Sequence, residues 1–223
     1  VPVPNYRQAL DGHIRGMKVG VIRELLDSDV VETEVREAVT AAIGVLGQLG
    51  AAVEDVSIPL CRHAWAISGG LRIEAPITYR DLVRRRLREI GHDNRIGYLT
   101  GSLIPAQAYY KAQQLRTLLR QQILAALERV EVLALPTAGV ASQKIELDPR
   151  VESKANTNRL PWLLTPTFSL ASVPALSICC GFTSQNLPIG LQLGSRPFAE
   201  ETVLRVAYAY EQATPWHTQK PPL

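Results

Sequence analysis

The sequence predicts an α/β domain, and three observations carry the prediction. Residues 17–58 read strand, helix, strand. A long amphipathic pattern over 105–129 runs into a short apolar strand. Finally, 36 consecutive residues, Leu160 to Ser195, contain no Asp, Glu, Lys or Arg. Such a run is largely buried, because apolar surface gains free energy on leaving water and no ion here needs hydration. Prolines at 161, 166, 174 and 188 interrupt it, so it does not form one membrane helix.

Met17–Ile22 is rich in Val and Ile and reads as a buried strand. Thr33 suits the cap of a helix over 34–48, with Val35, Val39, Ile43 and Leu46 along one face and Gly50 as its stop. Ala52–Ile58 is the next strand. This βαβ unit favours parallel pairing and a right-handed crossover. Residues 60–104 read as helical pieces over about 61–70 and 76–90, broken by glycines. Pro105 suits the start of a helix to about Arg129, with Tyr109, Ala112, Leu115, Leu119, Ile123 and Leu127 at helical spacing. Val130–Leu135 is a short strand ending at Pro136.

Residues 139–159 lack periodicity and mix charge with Asn and Pro, as a surface excursion or lid does. Ala175–Phe182 and Ile189–Leu193 read as two core strands joined through Thr183–Asn186. A helix over about 199–213 follows, and the tail, residues 214–223, carries three prolines and is expected to run extended over the surface.

Composition narrows the function classes. The chain carries 24 basic and 21 acidic residues, a balance that speaks for neither a nucleic-acid nor a membrane partner. Arg84, Arg85, Arg86 and Arg88 cluster, but without interleaved aromatics they read as a solvated helix face. Three cysteines, 61, 179 and 180, make no disulfide framework, and reduced thiols point to a cytoplasmic location. Val1–Tyr6 is proline-rich and lacks an apolar core segment, so it is not expected to act as a signal peptide. The chain opens without methionine, so the expectation is that it begins part-way through a longer protein.

No serine has glycine two residues away on both sides, and no two serines are adjacent. The histidines at 13, 63, 92 and 217 show no metal-ligand spacing, so no metal or cofactor is expected. Cys61 and His63 are two residues apart, a spacing that sends helical side chains to different faces. Lys18, Lys111, Lys144, Lys154 and Lys220 read as solvated charges.

The stretch Pro174–Phe198, PALSICCGFTSQNLPIGLQLGSRPF, resembles the carboxyl-terminal signature of the amidase signature family. VPVPNY, RGMKVGVIRE, Leu135-Pro136-Thr137 and RVAYAYEQATPWH, in that order, resemble the second half of the same family. The resemblance implies a mixed, mainly parallel sheet flanked by helices on both faces. It also implies that residues 1–223 are the carboxyl-terminal part of a single amidase domain. The implied chemistry is acyl transfer by a Ser-Ser-Lys centre, which lies in an N-terminal part outside this chain. No catalytic role falls to a residue here, and the chain alone is expected to be inactive.

The resemblance also suggests substrate-binding residues. Arg95 matches a basic position that some relatives use near a substrate carboxylate. Trp162, Thr165 and Phe168 fall in the segment that lines the cleft, with core packing as the competing role for both aromatics. Trp162 replaces an acidic residue of the glutamyl-tRNA amidotransferase type, which argues for an ordinary amidase with a more apolar pocket. Expected partners are a small amide substrate, the N-terminal part of the same enzyme and a second copy in a homodimer. The competing readings are a non-catalytic domain that binds a partner chain or small molecule, and an amidotransferase A subunit.

Overall fold

The computed structural model describes residues 3–142 and 164–220. In chain order it contains α1 (Tyr6–Ala9), β1 (Lys18–Ile22), α2 (Arg23–Leu26), α3 (Thr33–Gln48) and β2 (Ala52–Val56). A 3₁₀ turn (Pro59–His63) leads into α4 (Ala64–Gly70), α5 (Glu74–Thr78), α6 (Arg80–Arg85), α7 (His92–Gly101) and α8 (Ala106–Leu127). Then come β3 (Val132–Pro136), α9 (Pro166–Ala171), β4 (Ala175–Phe182), β5 (Pro188–Ser195) and α10 (Glu200–Ala213).

The five strands form one mixed sheet in the order β2-β1-β3-β5-β4. The βαβ unit supplies the parallel part, with β1 flanked by β2 and β3, both parallel to it. The hairpin β4–β5 joins antiparallel to β3 in the register Val132↔Ser195 to Pro136↔Leu191. All five residues of β3 are buried, because it lies at the centre. The edges differ in chemistry: β2 exposes Glu54 and Asp55, whereas the eight residues of β4 carry no charge.

Opposed residues of an antiparallel pair share a face. Ala175, Ser177 and Cys179 therefore point the same way as Gly194, Gln192 and Gly190, while Leu176 and Ile178 point with Leu193 and Leu191 to the other side. Helices α3 and α10 cover that second side, where Val39, Leu46, Val206 and Tyr210 are at most 1% exposed. Helix α9 covers the first side: a Cβ on Gly194 would lie 2.7 Å from the Phe168 ring. Helices α4 and α8 pack behind α9, and the Arg116 and Arg120 guanidiniums donate to carbonyls at its end, Leu170 and Ala171.

Several sequence readings change here. The helix expected over 76–90 breaks at Tyr79 and again at Arg86, so the cluster Arg84, Arg85, Arg86 and Arg88 spans two elements rather than one helix face. The cause is packing: α6 buries no residue, so nothing in the core holds one long helix straight. Thr33 is the first residue of α3 rather than its cap; Glu32 stands there without a side-chain hydrogen bond. Helices α1, α2, α7 and α9 escape the sequence reading. Of the 139–159 excursion only residues 139–142 lie among those described. The tail as described makes a 3₁₀ turn, Trp216–Thr218, with Trp216 against Phe182 at 6.1 Å between ring centroids. Among the described residues no helix is long and apolar enough to cross a membrane.

Candidate functional site

At the carboxyl end of β3 the chain turns outward at Thr137, whose N–H donates to the Gly190 carbonyl (2.9 Å). The Thr137 and Ser177 hydroxyls meet at 2.6 Å. Both sit over Gly190, where a Cβ would lie 2.7 Å from each oxygen. Only glycine lets the two hydroxyls close over the strand in this way. They floor a concavity of about 310 Å³, lined also by Ala138, Ser142 and Cys179. The Leu164 N–H returns to the Thr137 carbonyl (3.3 Å), so residue 164 is anchored at the same strand end.

The thiols differ by environment. Burial pushes the Cys180 thiol up to about 12, which makes it a small core residue at neutral pH. Cys179 is half-buried on the opposite face and lines the concavity. Cys61 is 2% exposed and its thiol is also raised by burial, while His63 is exposed, so the two form no pair.

A second cavity, of about 260 Å³, opens beyond residues 164–167. Glu24, Asp27, Asp29, Arg62, Trp65 and Thr167 line it. Burial raises the Glu24 carboxyl, but hydrogen bonds from the Ser57 hydroxyl and the Ile58 N–H outweigh burial and hold it below its ordinary value.

The residues singled out from the sequence are dispersed. Arg95 is half-buried on α7, which packs on α5. Thr165 is half-buried at the start of α9, and its carbonyl accepts the Ser169 hydroxyl (3.1 Å). Phe168 is 1% exposed and fills the space above Gly194. None of the three lines the hydroxyl-floored concavity. Trp162 lies outside the described residues. Thr137, Ser177 and Gln192 are not singled out by the sequence. Their signal is weak: Ser177 and Gln192 are neutral polar residues within otherwise apolar strands, and Thr137 stands just past the end of one.

Fold and site together define an α/β domain with a largely apolar, hydroxyl-floored concavity at the carboxyl end of a parallel strand, where ligands of open α/β sheets bind. The chain belongs to the Amidase family, whose model matches residues 1–204. The A subunit of the glutamyl-tRNA(Gln) amidotransferase of Synechococcus sp. (strain JA-3-3Ab) is 36% identical across all of this chain, which covers 47% of that protein. The crystal structure of a bacterial aryl acylamidase of the amidase signature family superposes with a TM-score of 0.77 at 20% identity, over 96% of this chain and 47% of that one. The A subunit of the Thermotoga maritima amidotransferase gives 0.67 at 30% identity, over 92% of this chain and 44% of that one. The chain thus spans about half the length of the curated relatives it matches.

Proposed function

We propose that this chain is the substrate-cleft part of an amide-hydrolysing enzyme whose nucleophile comes from the portion of the amidase domain outside these 223 residues. One observation carries the reading. The whole chain aligns with about half of each relative, yet it contains no adjacent serines to serve as nucleophile and relay. In this reading the Thr137–Ser177 floor and Gly190 face the reaction centre, and Arg95, Trp162 and Thr165 are the substrate-side candidates. The serine attacks the carboxamide carbonyl, the amine leaves, and water releases the acyl group. Phe168 supports the cleft from below by packing.

The test is hydrolysis of an aryl amide such as 4-nitroacetanilide. The purified 223-residue chain is expected to give no turnover above buffer, and a protein carrying the full amidase domain is expected to turn over. Turnover by the pure 223-residue chain would sink the proposal.

A second reading, an amidotransferase A subunit, has the 36% identical relatives of that name in its favour. It requires partner subunits to co-purify and glutamine, rather than aryl amides, to be the better substrate.

A further inference from the structure

Gln192 is 6% exposed, and its side-chain oxygen has no hydrogen-bond partner among the described residues. Its cross-strand neighbours are Leu135 on β3 and Ser177 on β4, and all three point to the α9 side of the sheet. Among the described residues that side is covered over Gly194 by Phe168 but not over β4, where Ala175 and Ser177 are exposed. β4 is also the outer strand, uncharged along its whole length. Natural sheet edges normally carry charge, proline or cover, as β2 does with Glu54 and Asp55. A buried amide oxygen without a partner, beside an edge strand with no charge, is costly in a finished fold. Both defects lie on the same border of the sheet, and about half of the relatives' length lies outside this chain.

We propose that Gln192 is a hydrogen-bonding key for the rest of the amidase domain. A segment outside these 223 residues lies against β4 on the Ser177 side and donates an N–H or O–H to the Gln192 side-chain oxygen. This rests on the reading that the chain is part of a longer amidase domain. Gln192 is a positioning residue here, since it touches the segment and not the substrate.

The test compares one substitution in two settings. Gln192→Met keeps the length of the side chain and removes the amide. In the 223-residue chain it removes a buried oxygen that has no partner among the described residues, so Tm is expected to rise by about 2–4 °C. In a protein carrying the full domain it deletes a bonded group, so Tm is expected to fall by a similar amount. A fall or no change in the 223-residue chain overturns the proposal, because the amide then already has a partner or water. A rise in both settings overturns it as well. Should the variant not fold, the side-chain carbonyl ¹³C shift of wild-type Gln192 decides: a downfield move in the full domain relative to the 223-residue chain supports the key, and an unchanged shift overturns it. Aryl-amide turnover is read separately, so a protein that hydrolyses nothing but shows the reversed sign fails the functional reading and keeps this one.

Discussion

Gly194 has no room for a side chain. A Cβ there would meet three Phe168 ring carbons at 2.7–2.8 Å, and the ring is 1% exposed and cannot swing away. Gly194→Ala is expected to destabilise by about 1–3 kcal/mol, the usual cost of overpacking a filled core. Denaturant unfolding reads this, and a Phe168→Leu background is expected to restore part of the loss. Glu24 makes a pH prediction. Its folded pKa lies below the ordinary carboxyl value of 4.5, so its stabilising contribution is fully present above that value and is lost as pH falls through the folded pKa. Wild type should melt above Glu24→Gln at pH 7, and the gap should close as the melt is repeated toward pH 3. A gap that widens on acidification would reverse the sign assigned to this carboxylate.

At the scale of elements, the long helix α8 depends on a narrow buried stripe. Leu119 and Ile123 are fully buried, so Leu119→Ala is expected to cost about 2–5 kcal/mol by urea unfolding. Helix α6 buries nothing, so its amides should exchange with solvent faster than those of α8 in a hydrogen-exchange experiment. The same contrast explains what is legible in the sequence. α3, α8 and α10 each lay an apolar stripe on the core, and burial writes that stripe at helical spacing. Arg80–Arg85 carries no such stripe, so composition alone suggests a longer helix than packing supports. Helix α9 is hidden for the opposite reason. In Pro166–Ala171 every residue but Ser169 is buried, and so short a segment with a single exposed position has no amphipathic period to read. The hydroxyl floor is hidden because Thr137 and Ser177 lie 40 positions apart. Only the register of three strands brings them together.

At the scale of the whole molecule, the sheet is asymmetric. One edge is charged and the other is chemically blank. Among the described residues nothing on the blank edge discourages a second copy from pairing with it. Sedimentation velocity should show association that grows with concentration, and Ser177→Lys, which puts a charge on β4, should suppress it. A strictly monomeric wild-type chain at all accessible concentrations would count against an open edge.

The central strand also sets an order in time. β3 pairs on one side with β1, made long before it, and on the other with β5, made well after it. During synthesis the strand that ends up most buried therefore waits half-paired while α9 and the hairpin are still inside the ribosome. Both antiparallel strands and α9 fall within the uncharged run from Leu160 to Ser195, which offers no electrostatic protection while the sheet is unfinished. The slowest and most vulnerable moment in making this domain should thus be the arrival of residues 166–195, when the sheet first closes around β3.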